Sequence, residues 1–172
     1  MLKTILVAVG NPYRRDDGVG RQIVNAVLRR VGRAELGPFD DGYDDLGHDL
    51  DCVVLQQMVP ELAETLADYD RAAFVDAHVP HLGAQIREER LKPEFENAHL
   101  VSHQFKPSSI LALALQLYGR APESILVSLP GYDFDFGEEL SPQVAAMVPG
   151  AVERILRWAG VACADDTAGG SA

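Results

Sequence analysis

Three side chains that could bind one metal ion follow predicted β-strands in this sequence. Asp17 lies in the loop after the apolar run ILVAV, Asp76 directly follows AAFV, and His103 lies at the end of the extended segment HLVSHQ. The carboxyl ends of parallel strands meet at one edge of a sheet, so we expect these three groups to lie close together. Two carboxylate oxygens and an imidazole nitrogen can hold a divalent transition metal and leave positions open for water or substrate.

The paired aspartates of the first loop also have a structural interpretation. An aspartate just before a helix is a good N-cap and suits the helix dipole, so either Asp16 or Asp17 could serve the helix alone. Two adjacent carboxylates in a loop at the carboxyl end of a strand nevertheless favour a chemical role for one of them.

The histidine of the predicted site has competitors. A histidine at a strand end is often only a hydrogen-bonding residue, which is the alternative interpretation of His103. His78 and His81 follow Asp76 closely and compete for the role of metal ligand. His78 ranks below His103, because it reaches the site only if its loop curls back.

Other catalytic motifs are missing from the sequence. The first loop lacks the G-x-G-x-x-G pattern of dinucleotide sites, and the chain contains neither a Walker A loop nor G-x-S-x-G. Cys52 begins an apolar strand and is predicted to be a small core residue rather than a nucleophile. The metal-site residues are therefore the best candidates for catalysis, although the sequence identifies no catalytic residue as such.

Strands and helices alternate along the chain, which indicates βαβ units. The pattern predicts a three-layer α/β/α sandwich with a mostly parallel, twisted sheet, an edge strand at residues 85–91 and a long acidic loop at residues 35–51. Ser141 is predicted to cap the last helix, and the adjacent Pro149 and Gly150 predict a kink or a break inside it.

Composition limits the classes of protein to which the chain can belong. It has 172 residues, of which 47% are hydrophobic, and this predicts one domain at residues 1–162 with a disordered tail at 163–172. The 15 basic and 26 acidic side chains give a formal net charge of −11, which argues against nucleic acid or an anionic membrane as a partner.

The cysteines and the first residues indicate the compartment. Cys52 and Cys163 form no C-x-x-C pair, so neither a disulfide framework nor a thiolate zinc site is predicted. The apolar run near the start is too short for a signal peptide or a membrane span. We therefore expect a cytoplasmic protein, with a monomer as the default state.

Five segments spread over nearly the whole chain carry a family resemblance. They are VAVGNPYRRDDGVG, VLQQMVPELAETLADYD, AFVDA, SHQFKPSSILALALQLYG and FGEELSP. These segments resemble the hydrogenase maturation endopeptidases, which trim the C-terminal extension from the large subunit of nickel-iron hydrogenases.

The resemblance implies an activity and a site. Matched motif by motif, the metal-binding residues of the family become Asp17, Asp76 and His103, the three groups that strand position had already selected. The resemblance also implies an aspartic-type endopeptidase that cuts the hydrogenase large-subunit precursor after nickel insertion. Nickel in the substrate would serve as the recognition signal, and no organic cofactor is implied.

The sequence departs from the family pattern in three places. Asp17 is an aspartate where many relatives have glutamate, which shortens its reach by one methylene. The segment LQQMVPELAE replaces a glycine-rich loop that some relatives carry after the second strand. The acidic segment at residues 40–51 does not align with the family, so no site residue is carried over from it.

The same residues are also compatible with other functions. The same three ligands would serve a non-catalytic metal-binding chaperone module that holds the hydrogenase large subunit without cutting it. A cofactor-binding α/β domain has less support, because the glycine fingerprint is missing. The first loop also resembles the G-N-P-G loop of peptidyl-tRNA hydrolases, but it has Asp16 and Asp17 where those enzymes use a histidine, and an acidic chain suits tRNA poorly.

Overall fold

Five strands form a single sheet in this protein. The computed structural model describes residues 2–95 and 105–161. The sheet has the order β2-β1-β3-β5-β4, and all neighbours run parallel except β4, which pairs antiparallel with β5 at the edge. The strands are β1 Thr4–Val9, β2 Leu50–Leu55, β3 Arg71–His78, β4 Arg87–Leu91 and β5 Glu123–Pro130.

Helices cover both faces of the sheet. The α-helices are α1 Val19–Arg30, α2 Leu62–Leu66, α3 Pro107–Tyr118 and α4 Pro142–Ala159. Short 3₁₀ helices occur at Arg15–Gly18, Tyr43–Asp45 and Pro80–Leu82. No helix among residues 2–95 and 105–161 is long and apolar enough to cross a membrane.

The interior strand β1 supplies side chains to two separate cores. Leu6 and Ala8 pack with α1 and α4 on one face, whereas Ile5 and Val7 pack with α2 and α3 on the other. All four side chains are fully buried. A strand buried on both faces has an uninterrupted apolar sequence, which is why ILVAV shows no alternation. The predicted three-layer α/β/α sandwich is therefore confirmed.

The strand order defines one crevice at the carboxyl edge of the sheet. From β1 the chain moves to β2 on one side and then returns to β3 on the other. The direction of strand order therefore reverses between β1 and β3, and ligands bind outside the carboxyl ends of the strands at such a reversal in open α/β sheets.

Several local predictions are confirmed. The edge strand predicted at residues 85–91 is β4, and the acidic segment predicted as a loop at residues 35–51 is irregular up to the start of β2 at Leu50, apart from Tyr43–Asp45. Cys52 is buried and unpaired, and burial raises the pKa of its thiol to about 12, as suits a core residue. The tail beyond residue 162, including Cys163, and the extended piece at residues 99–104 lie outside the described residues.

The predictions about α4 are confirmed in part. The helix runs without a break through Pro149 and Gly150, because the buried side chains of its second half hold it against α1 and the sheet. Ser141 is the N-cap residue of α4, as predicted, but its side chain makes no cap hydrogen bond, because its hydroxyl group donates to Asp16 instead.

Asp76 also lies elsewhere than predicted. It was expected at the junction between strand and loop, but β3 continues to His78 because β5 extends beside it and pairs Asp76 with Ser128. Asp76 is therefore held within the last residues of a strand rather than in a loop.

Candidate active site

The loop between β1 and α1 folds back on itself. The backbone N–H of Asn11 donates to Oδ2 of Asp17 at 2.8 Å, and the N–H of Asp17 donates to the carbonyl of Arg14 at 3.0 Å. The side-chain oxygen of Asn11 accepts from the N–H of Tyr13 at 2.9 Å. These bonds place Asp17 next to the point where the chain leaves β1.

Gly10 makes this close return possible. Its φ of +146° lies in the region that favours glycine, and a Cβ atom there would stand 1.9 Å from the carbonyl oxygen of Asp17. The N–H of Gly10 donates to the carbonyl of Leu55 at 3.0 Å, which continues the pairing with β2 past the end of β1. The glycine therefore fixes how closely Asp17 approaches the strand.

Asp16 is fully buried, and its side chain contacts the loop between β5 and α4 rather than Gly10. Its carboxylate accepts hydrogen bonds from the backbone N–H groups of Tyr132, Asp133 and Ser141 and from the Ser141 hydroxyl, at 2.7–2.9 Å. Burial alone would raise the pKa of Asp16, but these hydrogen bonds outweigh it and lower the pKa below the usual 3.8. Asp16 thus ties the first loop to the loop between β5 and α4.

The two adjacent aspartates have different roles. The helix-cap interpretation is wrong for both, because neither side chain caps the 3₁₀ helix Arg15–Gly18 or α1. Asp16 is a structural residue, whereas Asp17 borders open space.

Asp17 and Asp76 line one cavity at the carboxyl edge of the sheet, between β1 and β3. Its volume is about 350 Å³, which is at the lower end for ligand sites. The cavity is lined by Val9, Gly10, Arg14, Asp17, Gln56, Gln57, Met58, Phe74, Val75, Asp76, Phe105, Lys106 and Pro107. Two of the three predicted ligands are therefore brought together.

The two carboxylates share this cavity at an electrostatic cost. Burial raises the pKa of Asp76 to about 7; the backbone N–H of Ala77, which donates to Oδ1 at 2.8 Å, offsets part of the rise, and the charge of Asp17 adds to it. Oδ1 of Asp17 and Oδ2 of Asp76 accept no hydrogen bond from the described part of the chain. One oxygen of each carboxylate is therefore fixed by a backbone N–H group.

The third predicted ligand, His103, lies outside the described residues, and its role stays a prediction. Residues 105–107, which follow it closely in the chain, line the cavity. Within the described ranges no group of three or more His, Cys, Asp or Glu side chains could hold a metal ion.

The competing histidines do not line this cavity. His78 uses both ring nitrogens elsewhere, with Nδ1 3.0 Å from the Ser128 hydroxyl and Nε2 2.8 Å from the carbonyl of Gly83. His81 is exposed in the 3₁₀ helix Pro80–Leu82. The lower rank that the sequence assigned to His78 agrees with this geometry.

Sequence reasoning missed two cations at the cavity. Arg14 and Lys106 both line it and add positive charge to the wall that it shares with Asp17 and Asp76. Arg14 lies in the motif that pointed to the site, so its position in the loop was an available signal. Lys106 could be placed only once the start of α3 was located against β1 and β3.

Known structures share this fold. The hydrogenase maturating endopeptidase HybD from E. coli matches with a TM-score of 0.65 and 22% identity, over 91% of each chain. The [NiFe] hydrogenase maturation protease HybD from Thermococcus kodakarensis matches with a TM-score of 0.60 and 20% identity, over 92% of this chain and 99% of that one. HycI from Thermococcus kodakarensis KOD1, also a [NiFe] hydrogenase maturation protease, gives 0.63 and 16%, over 92% and 93%.

Sequence comparison adds no family. No family model and no curated protein matches the chain. At these identities the structural similarity shows the fold, and the resemblance inferred from the motifs is confirmed at that level.

The adjacent aspartates should differ sharply in their effect on stability. We expect Asp16→Asn to lower the free energy of unfolding by about 2–4 kcal/mol at neutral pH, because an amide cannot accept all four hydrogen bonds. Asp17→Asn, the matched control, should cost less than about 1 kcal/mol, since one oxygen still accepts from Asn11. Urea denaturation measures both, and equal losses would contradict the structural role of Asp16.

The same experiment has a pH dependence. The lowered pKa of Asp16 contributes stability that is present above the unfolded pKa of about 3.9 and is lost as pH falls through the folded value. The difference between the wild-type protein and Asp16→Asn should therefore shrink below about pH 4.

Gly10 should tolerate alanine worse than another glycine with positive φ. We expect Gly10→Ala to destabilise the protein by about 3 kcal/mol or more, because the new methyl group would collide with the Asp17 carbonyl. Gly32→Ala is the control, since Gly32 has a φ of +74° and no atom within 4 Å of the added Cβ, and it should cost about 1 kcal/mol. Thermal unfolding compares them, and similar losses would show that the Asp17 contact is not limiting.

Asp76 should make the protein less stable as pH rises. The unfolded carboxyl group loses its proton near about pH 4 and the folded one near 7, so the folded state binds more protons between these values. We expect Asp76→Asn to be about 1–3 kcal/mol more stable than the wild-type protein at about pH 8, and equal at about pH 4.

Urea titrations at both pH values measure this difference. The control Asp44→Asn removes an exposed carboxylate and should change stability by less than about 0.5 kcal/mol at either pH. A wild-type protein and an Asp76→Asn variant with the same pH profile would contradict the raised pKa.

Proposed function

We propose that this chain is a nickel-dependent endopeptidase that removes the C-terminal extension of a nickel-iron hydrogenase large-subunit precursor. The observation that carries the proposal is the shared cavity of Asp17 and Asp76 at the carboxyl ends of β1 and β3. The fold that surrounds this cavity matches hydrogenase maturation endopeptidases over more than nine-tenths of the chain. Cytoplasmic location and action as a monomer belong to the same proposal.

The donor set fits a divalent transition metal that arrives with the substrate. Asp17 and Asp76 each offer a carboxylate oxygen to the cavity, and a cation between them would offset the unfavourable burial that raises the pKa of Asp76. Oxygen and imidazole ligands suit nickel, so His103 would complete the set. In this proposal the ion is part of the substrate and no resident or organic cofactor is needed.

The chain itself orients the reacting groups. The N–H groups of Asn11 and Ala77 hold one oxygen of each carboxylate, which leaves the other oxygen for the metal. Nickel in the precursor would supply Lewis-acid polarisation of the scissile carbonyl or of a water molecule.

The remaining groups of the cavity suit an extended peptide. The positive charges of Arg14 and Lys106 can stabilise negative charge that develops on the carbonyl oxygen during attack by water. The amide groups of Gln56 and Gln57 can donate to and accept from peptide backbone groups. Water adds to the carbonyl carbon, the C–N bond breaks, and the leaving amine takes up the proton.

Cleavage of a nickel-loaded precursor tests the proposal. Incubation with this protein should shorten the large subunit, and mass spectrometry should locate one new C-terminus. We expect Asp17→Ala, Asp76→Ala and His103→Ala each to lower the rate by about 100-fold or more, because each removes a ligand. Removing nickel from the precursor with a chelator should abolish cleavage, and restoring nickel should recover it.

Controls separate this outcome from the alternatives. His81→Ala removes an exposed histidine that does not line the cavity, and it should cut at the wild-type rate. A precursor that binds stably but keeps its full length would favour the non-catalytic chaperone module. Equal cleavage of nickel-free precursor would contradict nickel recognition.

A further inference from the structure

Two phenylalanines are almost fully exposed on loops beside the candidate active site. Phe39 is 91% exposed and Phe136 is 90% exposed. Large aromatic side chains are normally buried, and they are enriched among the residues that contribute most to protein–protein binding. A pair of them on one part of the surface calls for a physical explanation.

The backbone around Phe39 is held from both sides. The guanidinium group of Arg21 donates to the carbonyl of Gly37 at 2.8 Å and to the carbonyl of Asp40 at 2.9 Å. The N–H of Asp40 also donates to the carbonyl of Gly37 at 3.1 Å, which closes a turn with Pro38 at its second position. Phe39 therefore projects from a fixed turn.

The backbone around Phe136 is fixed as well. The N–H of Gly137 donates to the carbonyl of Tyr13, and the N–H of Arg15 donates to the carbonyl of Gly137, both at 2.8 Å. The side chain of Arg15 pairs with Asp133 at 2.7 Å in the same loop. The loop is anchored while its aromatic side chain stays in solvent, so little conformational entropy would be lost on binding.

The two loops meet at a small second cavity. Its volume is about 140 Å³, and Pro38 and Glu138, close neighbours of the two phenylalanines, both line it together with Tyr13 and Arg21. We name Phe39, Phe136 and the exposed carboxylates beside them the Phe39/Phe136 surface.

This surface is acidic. Its exposed carboxylates are Asp40, Asp41, Asp135, Glu138 and Glu139. None of them forms an ion pair within residues 2–95 and 105–161. Two copies of this surface would repel each other, whereas an apolar pocket bordered by lysine or arginine would complement it.

The surface also adjoins the candidate active site. Pro12 and Tyr13 line the second cavity, and Arg14, the next residue, lines the cavity of Asp17 and Asp76. The β1–α1 loop is thus a shared wall, and a protein docked on one side of it lies next to the site on the other.

We propose that the Phe39/Phe136 surface docks the folded body of the substrate protein, which presents an apolar pocket bordered by basic side chains, while its C-terminal extension enters the Asp17/Asp76 cavity. This inference rests on the proposed function and adds to it a second recognition site, separate from the metal.

Binding and cleavage of the nickel-loaded precursor test the proposal together. We expect Phe39→Ala and Phe136→Ala each to weaken precursor binding and raise KM by about 10-fold, with kcat unchanged at saturating precursor. Leu117→Ala is the matched control, because Leu117 is 61% exposed near the end of α3 and lines neither cavity, and it should bind like the wild-type protein. Thermal unfolding should be unchanged in all three variants.

Charge reversal tests the partner's chemistry. Asp135→Lys with Glu138→Lys should slow association by about 10-fold, and added salt should slow association of the wild-type protein more than that of this variant. Equal association rates at every salt concentration would overturn the basic-pocket assignment.

The outcomes distinguish the two proposals. Normal cleavage and binding by both phenylalanine variants would overturn the docking surface and leave the proposed activity standing. Weaker binding by these variants without cleavage by any form would support the surface and overturn the endopeptidase. A wild-type protein that neither binds nor cuts the precursor would overturn both, and loss of self-association in the variants with unchanged precursor binding would assign the surface to a second copy.

Discussion

The geometry of the site depends on a carboxylate that does not line it. Asp16 is fully buried and accepts four hydrogen bonds from residues 116–125 positions later in the chain. Leaving a buried carboxylate without these partners would be costly, so the β1–α1 and β5–α4 loops are held together. Asp17 follows directly, and its position beside Gly10 is determined by the same anchored loop.

The buried carboxylate of Asp76 lowers the stability of the folded protein when it is ionised. Asp76 is desolvated beside Asp17, and this is the unfavourable part of an otherwise well-packed structure. The pairing of β3 with β5 extends past Asp76 to His78 and Pro130. These backbone contacts keep the buried carboxylate in place. In the proposed function, a cation between the two carboxylates would offset this burial and the smaller repulsion from Asp17.

The same anchored loops join the cavity to the surrounding surface. Arg15 and Gly137 connect the loop that carries Asp17 to the loop that displays Phe136. The chain has a formal net charge of −11, which argues against nucleic acid as a partner. Part of this negative charge surrounds the two exposed side chains Phe39 and Phe136. Recognition of a metal and recognition of a folded protein would then use opposite sides of one loop.

The amino-acid sequence by itself determined the layers and the main candidates. The apolar run ILVAV indicated a strand, and strand ends selected Asp17 and Asp76, because backbone periodicity and strand direction are local properties. The family motifs pointed to the same residues. His103 was selected in the same way and stays a prediction.

Only the tertiary structure separated Asp16 from Asp17. The two are identical in type and adjacent in sequence, and what distinguishes them is the contact of Asp16 with Tyr132, Asp133 and Ser141, far away in the chain. The sequence also did not predict that α4 continues through Pro149. Packing of the helix against α1 outweighs the local effect of this proline. Local pattern therefore chose the residue types, and long-range contacts decided which of them face the cavity.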